Sequence, residues 1–241
     1  MRVIALWQLT KPRIALLVLF TALAGFWLAS SGAPDWLRLF HTLVGTALTA
    51  GGAGALNMLL EREADARMRR TMNRPLPAGR VQPAEALKLG VTLSVAGVFY
   101  FAAAVNLLAS LLAALTLISY LLVYTPLKRR TWLATLVGAV PGALPALGGW
   151  AAARGGLSVE AGSLFAIVFL WQVPHFNALA WMYREDYARG GFPTLATRDP
   201  GGKATATQIV GVSLALLLAS LAPALLGLAG PLFLSGALAL G

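Results

Sequence analysis

Long apolar runs recur along this sequence, and they restrict the chain to one kind of architecture. A helix crosses the hydrocarbon core of a bilayer with about 20 predominantly apolar residues. The sequence has seven runs of about that length, at 13–30, 38–59, 86–104, 107–125, 132–153, 161–181 and 206–228. Only 12% of the residues are charged, against about 25% in soluble proteins. We therefore predict an all-α fold, a multi-pass transmembrane helical bundle.

An eighth apolar run, from Pro231 to Gly241, is too short to cross the hydrocarbon core. We expect seven full spans plus a partial eighth, in a single transmembrane domain over residues 1–241 that lacks its natural C-terminal end. The sequence contains no cysteine, which excludes disulfides, thiolate metal sites and thiol nucleophiles.

The basic residues lie on one side of the predicted spans. If the N-terminus is cytoplasmic, all but Arg38 and Arg154 of the 19 lysines and arginines fall on the cytoplasmic side. The positive-inside rule then predicts a protein of the cell inner membrane, with its N-terminus and its second, fourth and sixth connecting loops in the cytoplasm. Orientation in the lipid bilayer also accounts for the net charge of +10 without a nucleic-acid partner.

The acidic residues share this asymmetry, although acids contribute little to orientation. On the predicted cytoplasmic side, Asn57, Glu61 and Asp65 follow one another at intervals of four and form one stripe along a helix. Stacked carboxylates repel each other unless a cation compensates them. Hard oxygen ligands of this kind suit Mg²⁺ bound to a substrate's phosphates, and the arginines just beyond could hold the same phosphates. The alternative is a solvated helix end with surface ion pairs.

A second polar group lies at 169–192. Trp171, His175, Met182 and Asp186 are spaced to fall near one face of a helix that Pro174 bends. Glu185 and Asp186 are candidates for a second cation site. His175 lies inside an apolar span, where it could bond between helices, face haem or substrate, or transfer a proton. In a third element Tyr124 and Lys128 are one helical turn apart and could face a cavity.

Four stretches carry a resemblance to a known family. NMLLEREAD at 57–65 resembles the N-x-x-x-D-x-x-x-D signature of the intramembrane aromatic prenyltransferase superfamily. RTMNRPLPAG at 70–79, YTPLKRRT at 124–131 and WQVPHFNALAWMYREDYARGGFP at 171–193 resemble motifs of its haem O synthase branch. Two departures stand out: Glu61 occupies a position where the signature has Asp, and Glu185 and Asp186 are adjacent instead of well spaced.

The resemblance implies a bundle around a central cavity open to the cytoplasm, farnesyl diphosphate and haem B as substrates, Mg²⁺ as cofactor, and a haem A synthase as downstream partner. It assigns the metal-diphosphate site to Asn57, Glu61 and Asp65, with Asp186 in a second metal site. By the same resemblance Arg70, Arg74, Lys128 and Arg129 contact the diphosphate, and His175 belongs to the haem pocket. The alternatives are a prenyltransferase for a quinone precursor or another ring acceptor, and a non-catalytic transporter.

Overall fold

A computed structural model describes residues 2–240, and these residues form helices joined by loops, of which the longest covers residues 68–82. The helices are α1 (Arg2–Leu9), α2 (Pro12–Ala29), α3 (Trp36–Arg67), α4 (Pro83–Ala104), α5 (Leu107–Ile118), α6 (Thr125–Leu127), α7 (Ala134–Arg154), α8 (Val159–Met182), α9 (Arg184–Arg189), α10 (Leu195–Arg198), α11 (Lys203–Ser220), α12 (Ala222–Leu225) and α13 (Pro231–Leu240). A π-helical segment, Ser119–Tyr124, joins α5 to α6 and completes one span, Leu107–Leu127.

The predicted multi-pass helical fold is confirmed, because seven helical segments are long and apolar enough to cross a membrane. The short α13 lies in the predicted partial eighth run, and Gly241 lies outside the described residues. The largest difference concerns the second span, which was predicted to end at residue 59 and continues as α3 to Arg67. A helix of 32 residues is about 48 Å long, more than the ~30 Å hydrocarbon core, so its last turns project beyond that core.

Local sequence signals set the helix boundaries. Pro12 occupies the first turn of α2, where its missing N–H leaves no bond unmade. Asp35 caps α3 by accepting a hydrogen bond from the backbone N–H of Arg38 at 3.0 Å. Asn106 caps α5 in the same way, through the N–H of Ala109 at 2.8 Å. These caps fix the loops between consecutive spans and so align the helices as antiparallel neighbours.

The helices pack through small residues. The most extensive contacts join α3 to α4 and α2 to α7, while α5 packs on α7 and α8 lies between α7 and α11. A side chain on Gly52 of α3 would meet the Ser94 hydroxyl of α4 at 2.3 Å, and one on Gly149 of α7 would meet the Ala22 carbonyl of α2 at 1.9 Å. Close backbone approach of this kind is typical of helix association in membranes. It brings α2, α3 and α6 near one another at a single end of the bundle.

That end, here called the basic end, is where α2, α4, α7 and α11 begin and where α3, α6 and α8 end. The short α1 lies there and buries Ala5 and Leu9 against Met58 of α3 and Leu76 of the following loop. Its other face, including Trp7, is exposed. Eight residues extend over only about 12 Å, so α1 does not cross the membrane.

Candidate active site at the basic end

The predicted stripe of Asn57, Glu61 and Asp65 lies on one face of α3, as the spacing indicates. All three residues are buried, with 1%, 3% and 0% of their surface exposed. The alternative of a solvated helix end is therefore wrong. Buried carboxylates require compensating charge, and each member of the stripe is met by a cation from a different part of the chain.

Asp65 is paired with Arg74 of the loop that follows α3. The Arg74 Nη1 atom donates to both carboxylate oxygens of Asp65, at 2.9 and 2.8 Å. The Thr71 hydroxyl donates to the Asp65 backbone carbonyl at 2.9 Å, which fastens the same loop to the end of α3. The prolines at 75 and 77 lie just beyond. The loop thus folds back toward the stripe, so that Arg74 contacts Asp65, nine residues earlier in the chain.

Glu61 is paired with Lys128, which follows α6. The Lys128 Nζ atom donates to Glu61 Oε1 at 3.0 Å and lies 4.8 Å from the ring centre of Phe192 and 5.7 Å from that of Tyr124. Burial lowers the pKa of the lysine, but the Glu61 carboxylate outweighs that effect, so the pKa of Lys128 is raised above its ordinary value. The ammonium group is therefore held in its charged form beside the aromatic rings.

Asn57 connects two other segments. Its Nδ2 atom donates to the Thr125 hydroxyl at 3.2 Å, and that hydroxyl donates to the Tyr120 carbonyl in the π-helical segment at 2.8 Å. The amide oxygen Oδ1 of Asn57 accepts a hydrogen bond from the Lys11 ammonium. Burial lowers the pKa of Lys11 to about 8. A π-helical segment widens a helix locally and is frequent at functional sites.

Sequence reasoning missed two of these residues. Lys11 was counted only among the basic residues that orient the chain, and Thr125 was not singled out. The Lys-Pro pair directly before an apolar run was the available signal for Lys11, because a lysine at a helix start lies close to the membrane edge. No sequence signal marks Thr125, since its partner Asn57 is 68 residues away in the chain.

Asp186 lies on α9 and not on the helix of His175, so the predicted single face through these residues is wrong. The helix α8 continues through Pro174 but ends at Met182, and Tyr183 (φ −109°, ψ 27°) leaves the helical conformation. Asp186 is buried and accepts hydrogen bonds from the backbone N–H groups of Arg69 and Arg70, at 3.1 and 3.0 Å, and from Arg189.

The contacts of Asp186 bind the loop after α3 to the segment after α8. Burial raises the pKa of Asp186, but the backbone N–H groups and the Arg189 guanidinium outweigh that effect. The pKa of this carboxyl is therefore held below its ordinary value, and the group stays ionised as an acceptor.

The remaining predicted residues surround this core. Arg70 is exposed and lies 5.2 Å from the ring centre of Tyr183. Arg129 donates to the Leu60 carbonyl at 3.3 Å. Glu185 is exposed, while its neighbour Asp186 is buried, so the two carboxylates face different surroundings.

His175 is also exposed, and it is stacked on Trp171 with ring centres 4.8 Å apart and an interplanar angle of 13°. The roles predicted for His175 and for the other site residues stay predictions.

The stripe offers the donors that Mg²⁺ prefers, but no closed cage. Within residues 2–240 no group of three or more His, Cys, Asp or Glu side chains is arranged to hold a metal ion. Mg²⁺ usually keeps several waters and binds through one or two carboxylates together with substrate phosphates. By donor chemistry Glu61, Asp65 and the Oδ1 atom of Asn57 suit a magnesium ion that arrives with a diphosphate, although in this structure each accepts a hydrogen bond from a cation.

A narrow cleft of about 50 Å³ lies beside Lys128. Four aromatic residues, Tyr124, Trp132, Phe176 and Tyr187, line it together with small and polar side chains. Binding sites for drug-sized ligands usually enclose about 300–1,000 Å³. A ligand larger than a few water molecules must therefore widen the cleft.

The fold and the site together define a multi-pass membrane protein with a buried cluster of carboxylates and cations at one end. Residues 18–241 match the UbiA prenyltransferase family, and the chain belongs to that family. It is 51% identical to a protoheme IX farnesyltransferase of Solibacter usitatus, over 97% of this chain and 83% of that protein. It is 48% identical to a protoheme IX farnesyltransferase of Salinibacter ruber, over 97% of this chain and 82% of that one.

Solved structures show the same fold at lower identity. A UbiA homologue from Archaeoglobus fulgidus, bound to DMAPP and Mg²⁺, superposes with a TM-score of 0.77 at 17% identity, over 97% of this chain and 84% of that chain. The apo structure of a UbiA homologue from Aeropyrum pernix gives a TM-score of 0.79 at 19% identity, over 94% of this chain and 84% of that chain.

Proposed function

We propose that this chain transfers the farnesyl group of farnesyl diphosphate to a vinyl group of haem B, giving haem O and diphosphate. The observation that carries the proposal is the buried stripe of Asn57, Glu61 and Asp65, opposed by cations from three separate segments. The names of the two bacterial relatives support haem B as the acceptor. The stretches at 70–79, 124–131 and 171–193, which resemble motifs of the haem O synthase branch, contain residues that surround the stripe.

The cations at the stripe support this proposal, because they can stabilise the ionisation of a diphosphate ester. When the bond between the farnesyl carbon and oxygen breaks, the diphosphate leaves with the bonding electron pair and gains negative charge. Arg74 and Lys128 lie at the stripe and stabilise that charge, as does Arg70 at the edge of the site. A bound Mg²⁺, held by Glu61, Asp65 and Asn57, would supply further neutralisation of the phosphate oxygens.

The aromatic residues of the cleft suit the other half of the reaction. The faces of Tyr124, Trp132 and Tyr187 attract a cation, and a low water content protects the allylic cation from early hydrolysis. Attack by the vinyl group forms the new carbon–carbon bond and moves the positive charge to the haem side chain. Water then adds to that carbon and loses a proton, which leaves a hydroxyethylfarnesyl group. His175, stacked on Trp171, is proposed to serve the haem side of the site.

The orientation proposed for the protein follows from its substrates and its charges. The basic end would face the cytoplasm, in the inner membrane, because a diphosphate head group is water-soluble and the positive-inside rule places lysines and arginines there. The haem O product would be consumed by a haem A synthase in the same membrane. Asp186 would have to give up hydrogen bonds from two backbone N–H groups to bind a metal ion.

One assay separates this function from its rivals. Membranes that contain the protein are given haem B, farnesyl diphosphate and Mg²⁺, and the porphyrin products are analysed by mass. We expect a product heavier than haem B by one farnesyl group and one hydroxyl group. A prenylated quinone precursor, formed instead when ring acceptors compete with haem B, would refute the choice of acceptor. Movement of labelled farnesyl diphosphate across the membrane without chemical change would favour a transporter.

A further inference from the structure

Lys11 has an unusual backbone conformation. Its φ of 50° and ψ of 58° lie in the left-handed region, and it is the one non-glycine residue with positive φ among residues 2–240. This conformation is unfavourable for a residue with a Cβ atom, and glycine would adopt it without that penalty. Such outliers persist where the surrounding structure holds them, and they are concentrated at functional sites. The turn directs α1 away from α2 and places the Lys11 ammonium at the stripe.

The charges of the cluster do not balance without a ligand. Two cations have carboxylate partners, because Arg74 pairs with Asp65 and Lys128 pairs with Glu61. Lys11 donates instead to the neutral amide of Asn57, and within residues 2–240 it lies within 4.0 Å of no carboxylate. Three cations therefore face two carboxylates, and the surplus positive charge is that of Lys11.

We propose that Lys11 is a diphosphate-binding residue, whose ammonium group leaves the amide oxygen of Asn57 and binds a phosphate oxygen of the prenyl substrate. This inference rests on the proposed function, because it assigns one more residue to the same diphosphate. Lys11 shares the α3 stripe with Lys128 and Arg74, so one diphosphate in contact with those two cations is within its reach. The move also releases Oδ1, the only oxygen of the Asn57 side chain.

The test compares three substitutions that separate the charge from the backbone. Lys11→Met keeps the backbone penalty and the apolar stem but removes the ammonium group. Lys11→Gly also removes the ammonium group but relieves the left-handed strain, so this variant should fold at least as well as the parent. Lys11→Arg keeps the charge. Lys88→Met is the matched control, because Lys88 is an exposed lysine of α4 near the same end.

Binding of a non-hydrolysable farnesyl diphosphate analogue to the purified protein is measured by calorimetry in detergent with Mg²⁺, and haem B binding is titrated separately. A charged hydrogen bond accounts for roughly 10- to 100-fold in affinity. We expect weakening of that size in the Met and Gly variants, only a few-fold loss in the Arg variant, and no change in the Lys88→Met control. Haem B affinity should stay unchanged in all four.

Two results would overturn the assignment. Normal analogue binding by the Gly variant would mean that the residue serves only the turn between α1 and α2. Weakened haem B binding with normal analogue binding would mean that the Lys11 ammonium group binds a carboxylate of haem B instead of the diphosphate. The proposed function can fail separately: a protein that binds the analogue through Lys11 but never modifies haem B would refute only the acceptor.

Discussion

For the substitution Glu61→Asp, the structure and the family signature lead to different expected effects on activity. The superfamily signature that this stretch resembles has Asp at this position, so on that ground the change should be mild. In the structure the longer Glu side chain is what reaches Lys128, at 3.0 Å. Removal of one methylene withdraws the carboxylate by about 1.5 Å, unless the lysine stem follows.

The size of the effect follows from Coulomb's law. With an effective dielectric constant of about 20, two unit charges attract by about 5.5 kcal/mol at 3.0 Å and by about 3.7 kcal/mol at 4.5 Å. The loss of about 2 kcal/mol is an upper bound, because the flexible side chain of Lys128 can move toward the shorter carboxylate. Glu61→Gln is more severe, since it leaves a partly buried ammonium without its counter-ion, at about 3–5 kcal/mol.

Both variants are assayed for unfolding in detergent and for turnover. At roughly 2–4 °C per kcal/mol, Glu61→Asp should lower the midpoint of unfolding by at most about 4–8 °C and Glu61→Gln by about 6–20 °C. If the whole loss falls on the transition state, turnover by the Asp variant decreases by at most about 30-fold. The Gln variant should lose transfer almost completely.

The contrast between the two variants is what can refute the reasoning. An Asp variant as unstable and inactive as the Gln variant would mean that the site cannot adapt to a shorter carboxylate. A Gln variant with normal stability would mean that the pair of Glu61 and Lys128 contributes little to the fold.

Three further outcomes are expected. Removal of divalent ions with a chelator should stop transfer and added Mg²⁺ should restore it, because the stripe offers only oxygen donors; full activity after chelation would contradict the metal site. His175→Ala should weaken haem B binding in a separate titration, while farnesyl diphosphate affinity stays within a few-fold, because His175 is exposed and outside the ion-paired cluster. Asp186→Asn should speed limited proteolysis in the 68–82 loop, since an amide offers one acceptor oxygen to two backbone N–H groups; Glu185→Gln, an exposed neighbour, is the control, and equal cleavage in both would contradict this role.

The spans and the stripe could be predicted because both depend on residues that are close in sequence. Hydropathy is a property of a window of about 20 residues, and all seven predicted spans are present as helices. The stripe follows from a spacing of four residues on one helix. Even the extension of α3 to Arg67 was implicit in that spacing, since the stripe requires helix beyond residue 59.

The partners of the stripe could not be predicted in this way. Asn57 is joined to Lys11 across 46 residues, Glu61 to Lys128 across 67, and the Asp186 carboxylate to the Arg69 N–H across 117. Each pair depends on which helices pack together. The sequence has many basic residues near the membrane edge, and it does not show which of them contacts a given residue of the stripe. The apolar run predicted at 161–181 ends close to the end of α8, but no glycine or proline at 183 marks a break in the helix before Asp186. With this break at Tyr183, Asp186 accepts hydrogen bonds from backbone N–H groups of the loop after α3.

The same pairs explain how a membrane protein keeps two carboxylates buried. Each carboxylate is costly unless a cation compensates it, and the compensating cations come from the loop after α3 and from the end of α6. The fold therefore depends on the cluster that is proposed to bind the substrate. Loss of Arg74 or Lys128 removes a proposed diphosphate contact and also leaves a buried carboxylate unpaired, so lower activity in such variants mixes binding with unfolding. Lys11 differs because its partner is a neutral amide, and its removal exposes no unpaired charge in the protein. Among the cations at the stripe, Lys11 is thus the position at which a loss of diphosphate affinity can be measured apart from a loss of stability.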